Sequence, residues 1–202
     1  PFEYRRNCLL YLPQDGKQIR HGSREEAVWI AKRIKQLAGS THGHTLVLFT
    51  SYSLMGSVYQ ILRSDLPFPM VEVWRHTQEE IMRFKTLENA VLFAAGSCWE
   101  GVDFPGDMVS SLIIVRLPFA VPDPVREAEK EQYGNLREYI EAVAVPDMQK
   151  KLRQGFGRAI RTETDTCVVT ILDQRAVRGG RYYEDVLCAL PPCQMAESIE
   201  DV

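Results

Sequence analysis

Thr45-Leu46-Val47-Leu48-Phe49-Thr50-Ser51-Tyr52-Ser53 is the stretch that decides the fold class. Leu46 to Phe49 are apolar at successive positions, so a strand there is covered on both faces, as in the middle of a parallel sheet. Polar residues end the run at Thr50, and an amphipathic stretch from Ser53 to Leu66 follows at once. A doubly covered strand that turns directly into a helix is half of a βαβ unit.

The same rhythm runs outward in both directions. Asn7 to Leu12 precedes an amphipathic Ser23 to Ala38, and Met70 to Trp74 precedes Gln78 to Leu87. Further apolar runs lie at Ala90 to Ala95, Ser111 to Leu117 and Thr166 to Leu172, with a long helical region from Pro124 through Arg161 and a closing helix near Arg181 to Ala189. Ser23 followed by Glu26 has the spacing of a capping box and marks the start of the first long helix. The pattern predicts one α/β domain over residues 1–190, a doubly wound, mainly parallel sheet with helices on both faces. Pro191-Pro192 and the acidic residues beyond predict a frayed tail over 191–202.

Ligands of such sheets bind at the carboxyl ends of the strands, which directs attention to four segments. Thr50-Ser51-Tyr52-Ser53 places hydroxyls and free backbone N–H groups where a helix begins, a natural phosphate site, with simple capping by Ser51 or Ser53 as the other use. Gly96 to Gly106 holds three glycines with Glu100 and Asp103, carboxylates that could hold a ribose hydroxyl, a metal-bound water or an opposing Arg. Arg116-Leu117-Pro118-Phe119 offers a cation beside an aromatic ring, a pairing suited to single-stranded nucleic acid.

The fourth segment is Leu152 to Arg161. On a continuous helix, Gln154, Arg158 and Arg161 share one face, while Met148, Leu152, Phe156, Ala159 and Ile160 form an apolar seam opposite. Arginine's planar, permanently charged fork suits phosphate oxygens and charge developing during phosphoryl transfer. Gly155 and Gly157 interrupt this helix at about 1 kcal/mol each relative to alanine, which implies close approach of a backbone or ligand. The plainer alternative is a solvated basic face.

Composition narrows the function classes. A 202-residue chain with 45% hydrophobic and 25% charged residues is ordinary globular protein. Net charge is −3, yet residues 147–161 carry five Lys or Arg against one acid, a local +4 that the total conceals. Five scattered cysteines without a C-x-x-C pair, and an isolated His42-Gly43-His44, give no metal site; they read as reduced thiols of a cytoplasmic protein. No run approaches the length needed to cross a bilayer, so no membrane partner is expected. The chain begins at Pro1 without an initiating Met and reads as a piece of something longer. It contains neither a G-x-x-x-x-G-K-[ST] loop nor an Asp-Glu pair after a strand, so it is not expected to hydrolyse a nucleotide alone.

Together these segments resemble the second RecA-like motor domain of superfamily 2 helicases, most closely the DinG/XPD-like branch of bacterial DinG type. Leu152 to Arg161 resembles motif VI, Gly96 to Gly106 motif V, and Leu48 to Tyr52 motif IV; Leu117-Pro118-Phe119 and Thr162 to Arg175 also fit the pattern. The resemblance covers about Asn7 to Leu190 and implies a P-loop NTPase-like fold without the P-loop. It implies an ATP-dependent DNA helicase moving 5′ to 3′ on single-stranded DNA, with ATP and Mg2+ shared with a preceding P-loop motor domain. On that basis Arg158 and Arg161 are arginine fingers, Gln154 is a sensor, and Glu100, Gly101, Asp103 and Gly157 line the ATP site. Ser51, Tyr52 and Arg116 face DNA. Iron–sulfur ligands of relatives belong to the first domain, so no cluster is expected here, and about 124–148 is a helical insertion. The competing function is a non-hydrolytic nucleic-acid-binding or interaction module on the same fold, or another nucleotide-binding α/β enzyme.

Overall fold

A computed structural model describes residues 4–16, 18–41, 44–74, 77–99, 109–158 and 166–202. The elements in chain order are α1 (Tyr4–Asn7), β1 (Cys8–Tyr11), α2 (Arg24–Ser40), β2 (His44–Phe49), α3 (Tyr52–Leu62), β3 (Met70–Glu72), α4 (Thr77–Thr86) and β4 (Val91–Ala95). After a 3-10 turn, Gly96–Trp99, come β5 (Val109–Ile114), α5 (Pro124–Lys130), α6 (Leu136–Tyr139), a π turn at Ile140–Ala144, α7 (Val145–Phe156), β6 (Cys167–Ile171), α8 (Tyr183–Ala189) and β7 (Gln194–Ala196).

Among the described residues, seven strands form one sheet in the order β3-β4-β2-β5-β6-β1-β7. All of the pairings are parallel. Alternation along β2 shows why a continuous apolar run is required. Leu46 and Leu48 enter the core beneath α4, α7 and α8, while Val47 and Phe49 enter the core beneath α2 and α3. The period of two therefore feeds two cores from one strand. The edge strands β3 and β7 have three residues each, which leaves little unpaired backbone for another chain to template on.

Three details depart from the sequence reading. The expected frayed tail contains β7, paired in parallel with β1; Met195 and Ala196 supply ladder partners although acidic residues follow. The long helical region is divided into α5, α6 and α7, with a π turn in which the Val145 N–H reaches the Ile140 carbonyl. Pro146, next in the chain, has no N–H to offer the preceding turn, and a local widening accommodates the lost bond. Finally, α7 ends at Phe156 with Gly157 as its C-cap, the Gly157 N–H bonding the Arg153 carbonyl at 3.0 Å. Arg158 thus stands in the turn that leaves the helix. Met148, Leu152 and Phe156 are buried as the apolar seam requires; Ala159 and Ile160 lie outside the described residues.

Candidate functional site

Trp99 organises the carboxyl edge of the sheet. It closes the 3-10 turn after β4 and is 5% exposed. Its indole Nε1 donates to the Phe49 carbonyl at 3.1 Å, tying the turn to the end of β2. Its ring lies against α7 at Gly155, where an added Cβ would stand 2.8 Å from the ring. Gly155 is thus accounted for by an aromatic side chain rather than a backbone or ligand. The Trp99 carbonyl in turn accepts from Arg158 Nη2 at 3.4 Å. One residue therefore joins β2, the turn after β4 and the end of α7, and sets where the Arg158 guanidinium starts from.

Around this junction lies a small cavity of about 150 Å³ lined by Thr50, Gly96, Trp99, Pro118, Phe119, Val121 and Lys151. Gln154, one turn before Arg158, is half-buried, and its Oε1 is enclosed without a hydrogen-bond partner among the described residues. At the neighbouring strand end, Ser51 is the N-cap of α3, its hydroxyl accepting the Leu54 N–H at 3.2 Å. Capping thus occupies the Ser51 oxygen. Tyr52 is exposed, with its hydroxyl over Gly96.

Arg116 is held elsewhere. Its guanidinium is bound by Glu26 and His21, inside a separate cavity of about 220 Å³ whose walls include Trp29, Asp173 and Arg175. Burial lowers its pKa, opposed by the Glu26 and Asp173 charges. Glu26 is also the capping-box residue: Ser23 Oγ accepts the Glu26 N–H at 3.2 Å, and Glu26 Oε1 accepts the Gly22 N–H at 3.1 Å. The capping box thus serves both the helix start and the fixing of Arg116. Asp173, at the end of β6, accepts the Leu117 N–H at 2.9 Å and a two-pronged bond from Arg175 at 3.0 and 2.7 Å. Burial pushes its carboxyl up, but these bonds outweigh it and hold the pKa below the ordinary value. Arg175 also lies 5.1 Å from the Phe119 ring centroid, so this pair braces the loop beside the Trp99 cavity.

Glu100, Gly101, Asp103 and Arg161 lie outside the described residues, as does His42. Of the remaining sequence candidates, Arg158, Gln154 and Gly157 come together at the end of α7, Ser51 and Tyr52 form the start of α3, and Arg116 belongs to the Glu26 cluster. Sequence reasoning missed Trp99 as the anchor, Lys151 on the cavity wall and Trp74 beside Tyr52. A bulky tryptophan amid glycines was the one available signal. Among the described residues, no group of three or more His, Cys, Asp or Glu could hold a metal, Cys8, Cys188 and Cys193 form no disulfide, and no helix is long and apolar enough to cross a membrane.

Comparison with known proteins shows the family of the chain. Residues 34–193 match the family model described as the helicase C-terminal domain. The chain is 35% identical over 214 residues to the ATP-dependent DNA helicase DinG of Photobacterium profundum, covering 95% of the chain and 29% of that protein. It is 31% identical over 206 residues to the 3'-5' exonuclease DinG of Bacillus subtilis, covering 98% of the chain and 22% of that protein. It thus spans less than a third of the length of either relative. An XPD helicase structure superposes with a TM-score of 0.71 at 20% identity over 94% of this chain and 36% of that one, evidence for the shared RecA-like fold. With a family model matched over most of its length and relatives aligned nearly end to end, the chain belongs to the helicase C-terminal domain family, as the C-terminal domain of a DinG/XPD-like helicase.

Proposed function

We propose that this domain is the second motor domain of an ATP-dependent DNA helicase that moves 5′ to 3′ on single-stranded DNA, and that it acts on ATP held by a P-loop domain of the same protein. The observation that carries the reading is the seating of Arg158: it follows the C-cap of α7, whose apolar face is buried, at a carboxyl strand edge, and donates to a backbone carbonyl. A cation so placed can exchange that carbonyl for a phosphate oxygen, a stronger, charge-assisted partner.

In this reading Arg158 and Arg161 neutralise charge on the phosphates, and Gln154, whose enclosed Oε1 has no partner among the described residues, takes a donor when the cleft closes. Leaving such an acceptor unmade costs about 1–3 kcal/mol, so closure is favoured at this point. Gly157, Glu100, Gly101 and Asp103 complete this domain's wall of the ATP site. ATP bound with Mg2+ supplies the phosphoryl group and the driving force; the chain itself has neither a P-loop nor an acidic pair to hold them. Ser51 and Tyr52 contact DNA at the start of α3. Arg116, held by Glu26, supports the edge from behind and reaches DNA only if that pair opens.

Strand displacement by the full-length protein tests the reading. Duplexes with a 5′ single-stranded tail should be unwound in the presence of ATP, and those with a 3′ tail should not, with unwinding lost in Arg158→Ala. ATP-independent binding of both substrates, without unwinding, would instead support a non-hydrolytic binding module.

A further inference from the structure

Beside the Trp99 cavity, the same edge of the sheet presents two large aromatic rings to solvent. Tyr52 opens α3 and Trp74 follows β3, and their rings stack with centroids 5.3 Å apart at 23°. Tyr52 is 42% and Trp74 48% exposed. An indole stacked on one ring and still 48% exposed leaves apolar ring surface to solvent.

A glycine lies at each contact point, and at Gly96 the missing Cβ is what makes room. Gly56, one turn after Tyr52 on the same face of α3, lies under the indole, where an added Cβ would stand 3.9 Å from the ring. Gly96, in the left-handed region at φ +62°, lies under the tyrosine, where a Cβ would stand 3.0 Å from the hydroxyl. Trp74 Nε1 is engaged by Glu72, two residues earlier. That bond fixes the rotation of the indole and occupies its single polar group. What remains available is a flat, apolar, electron-rich surface, suited to a planar ligand rather than to one read by hydrogen bonds.

We propose that Tyr52 and Trp74 form a stacking platform for an unpaired base of single-stranded nucleic acid. The inference rests on the nucleic-acid reading above and goes beyond it by adding Trp74 and by assigning these rings to a base rather than to the phosphate backbone. Gly96 links the platform to the cavity at Trp99, so a strand crossing the ends of β2 and β4 meets both. Every base has a π-face, so the contact is sequence-tolerant, as a protein that travels along a strand requires.

The test measures binding of the full-length protein, without nucleotide, to a labelled oligothymidine and to an abasic oligomer of equal length. Fluorescence anisotropy at fixed salt is read for wild type, Trp74→Ala and Trp74→Phe. The platform predicts that Trp74→Ala weakens oligothymidine binding roughly 5- to 150-fold, leaves abasic binding unchanged, and that Trp74→Phe restores most of the affinity. Equal weakening on both oligomers would show a structural or electrostatic role and overturn the platform, as would unchanged oligothymidine binding. Failure of the wild type to bind either oligomer would overturn the nucleic-acid reading itself and the platform with it.

Discussion

The Arg158 guanidinium donates to the backbone carbonyl of Trp99 at 3.4 Å, while the indole of the same tryptophan donates to the Phe49 carbonyl at 3.1 Å. A displacement at the end of β2 can therefore be transmitted through the indole and backbone of one residue to Arg158. Trp99→Phe keeps most of the ring but loses the Nε1 bond, and should cost about 1 kcal/mol of stability. Trp99→Ala should cost about 3–5 kcal/mol through the cavity it leaves. Chemical denaturation checks both, and ATP turnover of full-length Trp99→Phe should fall even where the fold is kept.

Gly155→Ala tests whether the ring or the helix controls that position. Alanine gains about 1 kcal/mol in helix propensity, but its Cβ would stand 2.8 Å from a buried Trp99 ring, and overpacking of this kind costs about 1–3 kcal/mol. The net result should be a lower thermal midpoint. Adding Trp99→Leu should make the alanine neutral or stabilising, because the obstructing ring is gone.

The Glu26–Arg116 pair should behave as a unit, since the two side chains are 16% and 14% exposed. Glu26→Gln removes the counter-charge that directly binds the guanidinium and should cost about 2 kcal/mol. Replacing both residues by methionine should cost less than the sum of the single changes. A double-mutant cycle by urea denaturation measures the difference.

Asp173 predicts the acid limb of the stability curve. Its folded pKa is lowered, so its stabilising contribution is complete above the unfolded carboxylate value of about 3.9 and is lost as pH falls through the folded value below it. Unfolding free energy measured between about pH 5 and pH 2 should fall less steeply for Asp173→Asn than for wild type.

The parallel sheet was legible because β2, β4 and β5 are long enough for burial on both faces to leave a continuous apolar run. β7 was not legible: three residues behind a Pro-Pro break, two of them exposed, carry no periodic signal, and pairing with β1 together with burial of Ala196 orders them. The apolar seam of α7 could be read from spacing, but its end could not, since Gly157 was compatible with both a helix interior and a cap. Arg116 shows the limit for sites. Its cation was visible in sequence, whereas its partner stands ninety residues earlier in a segment that reads as a helix start. Trp74 left no trace for a similar reason, because stacking on Tyr52 depends on the spatial adjacency of β3 and α3.

In the proposed function Arg158 acts across a cleft on ATP bound by another domain. DNA-stimulated ATP turnover by the full-length protein, wild type against Arg158→Ala, with a thermal melt of each, tests it most directly. A fall of about a thousandfold or more with an unchanged melt is the predicted result. Unaltered turnover with an unchanged melt would contradict it.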